Sequence, residues 1–314
     1  MTSSAMDWVS GEDLFASLSM ERAVRTIQRD LLAGLDPARD LARVIDALEH
    51  GQLLYMPSQY GAYAGAKVST VAPLNPARGL DRIHGIYVLF DAATLVPIMV
   101  VDGQALTALR TPAVSAAVAD HLAPDRVDHL VVFGSGTQAS GHVDAMRVIR
   151  EIGVVSIVAR DPLRSAALVD RLLASGQPAR LGAVADVADA QVIVCATTAR
   201  APLFDGGLVR EDALVVAVGS HEPDAREIDS TMLSRAQVVV EDPGVALREA
   251  GDVIIAIGEG RFTGSALVAM RDVVTGTVQV DHSRPRIFKS SGMPWEDLVV
   301  AAELLRARGE APSN

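Results

Sequence analysis

The run Val131-Val132-Phe133-Gly134-Ser135-Gly136-Thr137-Gln138-Ala139 reads as an apolar strand, a GxGxxA turn and the start of a helix. In that setting Gly134 permits a tight turn, Gly136 lets the backbone approach a pyrophosphate, and Ala139 lets helix and strand pack closely. Thr137 and Gln138 open the helix, whose N-terminal N–H groups would face the phosphates. The next strand ends Ile157-Val158-Ala159-Arg160-Asp161. An acid at that point would bind the ribose hydroxyls of NAD, and an arginine would accept the 2′-phosphate of NADP. Both types are present, and Arg160 lies closer to the strand end, which favours NADPH with NADH as the alternative. Asp161-Pro162 reads equally well as the N-cap and first residue of a helix. Further on, Cys195-Ala196-Thr197-Thr198 follows another expected strand, at the edge where such folds bind their ligands, so Thr197 and Thr198 are candidate cofactor contacts.

A second residue stands out by its surroundings. Lys67 lies in Gly65-Ala66-Lys67-Val68, among small residues in an expected strand, an unusual place for a lysine kept only for solubility. The histidines show no ligand spacing such as HxxxH, and Cys195 is the only cysteine, so no metal and no internal disulfide are expected.

The elements that must position these residues follow from periodicity. Residues 11–33 carry apolar positions at helical spacing, and Leu41 to Leu48 reads as a shorter helical stretch. From Leu53 to Val101 short apolar runs separated by Gly, Pro and Asn predict an antiparallel sheet. Its most apolar part, Ile86 to Val101, is broken by Asp91 and Pro97 and reads as two strands joined at Asp91-Ala92-Ala93-Thr94 rather than as a membrane span. An alanine-rich helix is expected from Thr111 to Leu122. From Val127 onward, apolar runs alternate with helical stretches, the pattern of a parallel sheet with crossover helices. The runs are His129–Phe133, Val154–Val158, Val192–Cys195, Ala213–Val218 and Val238–Val240. The pattern is expected to end near Arg286, followed by a last amphipathic helix from Pro294 to Arg308.

The chain's 314 residues allow two domains, and 49% apolar with 21% charged residues excludes extended disorder. A net charge of −11 repels phosphate backbones and anionic lipid headgroups, so neither nucleic acid nor membrane is an expected partner. Met1-Thr2-Ser3-Ser4-Ala5-Met6-Asp7 has neither the basic start nor the apolar run of a secretory signal, which together with the lone cysteine predicts a cytoplasmic protein.

From about Arg43 to Asp297 the chain resembles the ornithine cyclodeaminase/mu-crystallin family. The markers before the glycine loop are Arg43, Met56-Pro57, Lys67, Asn75, Gly79, Asp102-Gly103, Thr107 and Arg110-Thr111. Beyond the loop they are Val218-Gly219-Ser220, Glu227-Ile228-Asp229, Lys289-Ser290-Ser291-Gly292 and Glu296-Asp297. The resemblance implies an α/β fold: a Rossmann-type doubly wound parallel sheet over 113–286, plus an α+β substrate and dimerisation domain formed by 1–112 and completed by 287–314. It implies a homodimer, with substrate held between the two domains. Relatives perform ornithine cyclodeamination, alanine dehydrogenation, and reduction of ketimines and cyclic imino acids. All exchange a hydride at a carbon bearing nitrogen and a carboxylate.

By the same resemblance Arg43, Lys67 and Arg110 hold the substrate carboxylate, which would be heavily penalised in a buried site without a cation. A partly buried Lys67 beside two arginines should have its pKa lowered, making it a candidate proton donor. Thr111 is expected to face the cofactor, with an N-cap role as the alternative, and Ser291 to approach the nicotinamide. The departure is His221, in Val218-Gly219-Ser220-His221-Glu222-Pro223, where the family's cyclodeaminases carry an aspartate for the substrate's distal amine. His221 is a candidate proton relay or ribose contact, or a loop residue bonded to backbone. Its presence shifts the expectation to an NAD(P)H-dependent reductase of a cyclic imino acid, pyrroline-2-carboxylate or piperideine-2-carboxylate. A cyclodeaminase, an alanine-type dehydrogenase and a non-catalytic NADPH-binding protein are the rivals.

Overall fold

The computed structural model describes residues 7–309; Met1 to Met6, which carry most of the signal-peptide argument, lie outside them. The chain divides into two compact units, one ending at Thr111 and resuming at Met293, the other running from Pro112 to Gly292.

The first unit begins with β1 (Asp7–Val9), α1 (Gly11–Ser17) and α2 (Met20–Leu32). Ser10 and Ser19 cap the two helices by accepting from the N–H groups of Asp13 and Arg22. Then follow β2 (Val44–Leu48), β3 (Gly51–Tyr60), β4 (Tyr63–Val71), β5 (Ile83–Asp91) and β6 (Pro97–Asp102). They form a six-stranded sheet in the order β1-β6-β5-β4-β3-β2, antiparallel except for the β1–β6 pair. The helical expectation for Leu41 to Leu48 is thus corrected. Val44 and Ile45 are β-branched, and a two-residue turn at Glu49-His50 lets the segment pair with β3, a tertiary gain that outweighs a short helical pattern. The alanine-rich helix also starts earlier than expected: α3 spans Gly103–Leu122, with Asp102 accepting from the N–H groups of Gln104 and Ala105. Thr111 is therefore interior to α3 and is not an N-cap. The division between units falls at the next residue, Pro112, which lacks the N–H its helix position calls for.

In the second unit the elements are β7 (Val127–Phe133), α4 (Thr137–Ile149), β8 (Ile152–Val158), α5 (Pro162–Ala174), β9 (Ala179–Leu181), β10 (Val192–Cys195), β11 (Leu214–Ala217), α6 (Ser230–Arg235), β12 (Gln237–Val240), α7 (Pro243–Glu249), α8 (Gly251–Gly258), β13 (Leu267–Ala269), α9 (Met270–Val274) and β14 (Arg286–Lys289). The eight strands are all parallel, ordered β13-β12-β14-β11-β10-β7-β8-β9. The segment where the sequence pattern was expected to end is instead a fully buried strand between β11 and β12. Val131, Phe133, Ile193, Cys195, Val215, Ala217, Val238 and Ile287 form its core. Chain order reverses between β7 and β10, the switch point where dinucleotides bind in such sheets.

The chain then returns to the first unit as α10 (Pro294–Ala307), which packs on β3, β4, β5 and α2. Arg22 and Arg29 of α2 hold Glu303 of α10 at 2.7 and 3.0 Å. The covered sheet face is the unusual one. Along β4 it carries Tyr63, Gly65, Lys67, Ser69 and Val71, all buried, while Ala64, Ala66, Val68 and Thr70 point the other way and are only half-buried. Ala64, Ala66 and Val68 face away from the helix, and the lysine faces it between Tyr63 and Val71.

Candidate active site

In the first unit, strand register gathers the predicted cations. Met56 pairs with Lys67 and Lys67 with Tyr87, so the three share one row on the face under α10. Arg43, half-buried, sits one residue before the Val44–Tyr55 pair, and continuing that register sets it opposite Met56 at the end of the same row. Arg110 comes from α3 and is buried.

Two carboxylates in the first turn of α10 meet these cations. Lys67 Nζ donates to Asp297 Oδ2 at 2.8 Å and to Thr107 Oγ1 at 3.3 Å. Arg110 pairs with Glu296, and its Nε lies 3.3 Å from the other Asp297 oxygen. Glu296 also accepts from the Met293 N–H at 2.9 Å, the reciprocal half of a helix cap, so one side chain both starts α10 and holds Arg110. Asp40 accepts from the Trp295 N–H at 2.8 Å and fixes the same turn from the other side. Lys67, Arg110, Glu296 and Asp297 are all within 5% of full burial. Such charges persist only when matched, and two cations against two carboxylates balance. Burial drives the Lys67 pKa down to about 8, against the opposing pull of Asp297 and with help from Arg110. The lowering follows the expected causes, desolvation ahead of the like charge of Arg110, while the carboxylate of Asp297 resists it. The Tyr87 phenol is raised well above its usual range by burial and by the charges of Asp297 and Asp40. Its hydroxyl occupies the space over Gly65, where a Cβ would lie 2.0 Å away, which explains a glycine beside the lysine strand position.

Asp297, Glu296 and Thr107 are partners to which the sequence alone does not point. Glu296 and Asp297 look locally like acids complementing a helix dipole. The available signal was the deficit of negative charge around buried cations, which demands counter-charges from somewhere.

In the second unit, β7 ends in the glycine loop. Gly134 has φ +117°, and a Cβ there would come within 2.5 Å of the Ala196 carbonyl, so glycine is required twice over. Gly136 is different: it is the N-cap of α4 at an ordinary φ of −90°, without a side-chain cap, and a Cβ would meet nothing within 4 Å. Its missing side chain leaves room in front of uncapped N–H groups, the fit a pyrophosphate needs. Thr137 is exposed beside it, Gln138 half-buried, and Ala139 buried against the sheet. Behind the loop, His142 is fully buried between the Gln138 carbonyl at 2.8 Å and the Ser115 hydroxyl at 2.9 Å, and burial lowers its pKa to about 4.

At the end of β8, Arg160 is exposed, while the Asp161 carboxylate caps α5 by accepting from Leu163 and Arg164. Beyond β10, Thr198 is exposed, and Thr197 donates both its N–H (2.8 Å) and its hydroxyl (2.7 Å) to Glu227. His221 is half-buried in the loop after β11. Ser291 donates its N–H to Glu241 at 2.8 Å, and Glu241 also takes the Ser290 hydroxyl and the Gly292 N–H. Among the described residues no group of His, Cys, Asp or Glu could hold a metal, and no helix is long and apolar enough to cross a membrane.

A parallel sheet with a glycine loop at its switch point defines a dinucleotide-binding fold, here joined to an α+β unit with a buried charge cluster. Residues 12–310 match the ornithine cyclodeaminase/mu-crystallin family, and the chain belongs to it. It is 30% identical over 311 residues to a delta(1)-pyrroline-2-carboxylate reductase of Colwellia psychrerythraea, covering 94% of this chain and 97% of that one. The solved delta(1)-pyrroline-2-carboxylate reductase of Thermococcus litoralis, in complex with NADH and L-proline, superposes with a TM-score of 0.90 at 26% identity, over 98% and 100% of the two chains. An archaeal alanine dehydrogenase dimer with bound NAD matches with a TM-score of 0.91 at 25% identity, over 98% of each chain.

Proposed function

We propose that this protein reduces a cyclic imino acid, delta(1)-pyrroline-2-carboxylate or delta(1)-piperideine-2-carboxylate, to proline or pipecolate with a nicotinamide dinucleotide. The observation that carries the reading is the buried Lys67, a proton donor tuned to about 8 and fixed on Asp297 beside Arg110. The bound dinucleotide supplies a hydride for the imine carbon. The chain's own work in the first unit is to grip the carboxylate on that carbon with Arg110, Lys67 and Arg43, and to deliver a proton from Lys67 Nζ to the imine nitrogen. The C=N bond becomes CH–NH, and Asp297 keeps the lysine oriented throughout.

A linear diamino acid needs a further carboxylate for its distal ammonium. His221 offers none, which favours the closed imine over ornithine. NADPH is the preferred cofactor in this reading, since Arg160 is available to a 2′-phosphate while Asp161 is committed to its cap. A homodimer is part of it too: on the sheet face away from α10, Trp8, Val44, Tyr55 and Ile86 are more than a third exposed, around half-buried Ala66, Val68 and Val88. A cytoplasmic setting accords with the single buried thiol.

The deciding experiment offers purified protein NADH or NADPH with pyrroline-2-carboxylate, piperideine-2-carboxylate, pyruvate plus ammonia, or ornithine. Cofactor oxidation with the cyclic imines and not with the others is expected. Efficient ammonia release from ornithine would return the cyclodeaminase to first place, and cofactor binding without turnover would point to a ligand-binding protein.

A further inference from the structure

The second unit buries charges for which imine reduction has no direct use: Glu227 and Asp252 at 0% exposure, Lys289 at 1% and Glu241 at 2%. Glu227 precedes α6, Asp252 lies in α8 and Lys289 ends β14, yet all converge behind the loops that follow β10 and β11. Glu227 Oε1 accepts the N–H and hydroxyl of Thr197, and its Oε2 accepts the Gly219 N–H at 2.7 Å. One carboxylate therefore ties together the first residues beyond two neighbouring strands. The approach is so close that a Cβ on Gly219 would lie 2.1 Å from the Thr197 carbonyl and 2.4 Å from Glu227 Oε1.

Glu227 is itself held. Asp252 Oδ1 accepts the N–H groups of Glu227 and Ile228 at 2.7 and 3.0 Å. Lys289 reaches Asp252 at 3.2 Å and donates to the Ser220 carbonyl at 2.5 Å, bringing in a third strand end. The turn that follows Lys289 is fixed separately by Glu241 through Ser290, Ser291 and Gly292. Burying several charges is costly, and a sheet core needs none of them. These bonds do not fill the core; they set backbone at the carboxyl edge of the sheet, beside Gly134, which touches the same β10 end through Ala196.

We propose that Glu227 is a positioning residue for dinucleotide binding, holding the Thr197 and Gly219–His221 loops at the spacing the cofactor requires, with Asp252 and Lys289 as its buried support. The proposal rests on the reading that the second unit binds a nicotinamide dinucleotide. Glu227→Gln keeps the shape but presents an amide N–H₂ where the carboxylate accepted a donor, so one loop must let go.

The test is NADH binding, followed by cofactor fluorescence on folded protein, with thermal melts and steady-state kinetics alongside. Glu227→Gln is expected to weaken NADH binding by about tenfold or more, because the lost bonds are to an ionised acceptor. KM for the dinucleotide should rise by a similar factor while KM for the imino acid, set in the first unit, stays put. Should Glu227→Gln fail to fold, Glu227→Asp keeps the charge facing Lys289 and should show the same split at smaller size. Wild-type affinity for NADH in a folded variant, or equal rises in both KM values, overturns the proposal. Failure of the unmodified protein to bind NADH would instead overturn the reading on which it stands.

Discussion

The two units each bury a cluster of charges, and the clusters are built on opposite plans. In the first unit Lys67 and Arg110 face Asp297 and Glu296, side chain to side chain, on a sheet face roofed by a helix. In the second, Glu227, Asp252 and Glu241 accept mainly from backbone N–H groups of loops. A charge held by another side chain retains a proton it can give up, and burial tunes when it does so. A carboxylate tied to backbone donors of separate loops is a bracket. In the proposed reading the same physical ingredient, an ion removed from water, serves chemistry in one place and geometry in the other.

The difference predicts different consequences of damage. Lys67→Ala should cut kcat for imine reduction by about 10²- to 10⁴-fold, the usual contribution of a positioned proton donor, with NADH binding retained. A variant reducing imines at near wild-type rate would remove Lys67 from the chemistry. In the unmodified enzyme the donor is protonated below its pKa of about 8, so reductive kcat/KM should be level on the acid side and fall about tenfold per pH unit above it. Proline oxidation, which needs the neutral amine, should rise over the same range; an activity limb at another pH would place the proton elsewhere.

A stability effect is expected from the second unit. His142 has a folded pKa near 4 against an ordinary value of 6.5, so between these values the unfolded chain binds more protons. Stability from this site is complete above pH 6.5 and is lost as the pH falls toward 4, by about 3 kcal/mol in all. Denaturant titrations should show that slope in the unmodified protein and its loss in His142→Gln.

Smaller again is the cofactor choice. Arg160→Ala should raise KM for NADPH by the equivalent of about 1.5–3 kcal/mol and leave KM for NADH nearly unchanged. Equal losses would separate Arg160 from the 2′-phosphate. On the open face of the first unit's sheet, Ile86→Asp should shift a micromolar dimer toward monomer in light scattering. A monomeric unmodified protein would assign that face to something else.

The amino-acid sequence by itself determined what is local. The glycine loop and the Asp161-Pro162 cap each depend on backbone conformation within a few residues, and the parallel strands appear as apolar runs because they are buried on both faces. β14 leaves little sequence signal because Arg286 and Lys289 bracket only two apolar residues, and β2 because its five residues fit either period. Tertiary structure alone decided the partners of the buried charges. Lys67 and Asp297 stand 230 positions apart, and Glu227 meets Asp252 across 25. A pairing of that kind leaves no periodicity in the chain; it exists because α10 returns to roof β4, and because two strand ends converge on the Glu227 carboxylate while a third, at Lys289, reaches its support Asp252. Burial then raises the cost of an unmatched charge until only the matched arrangement persists.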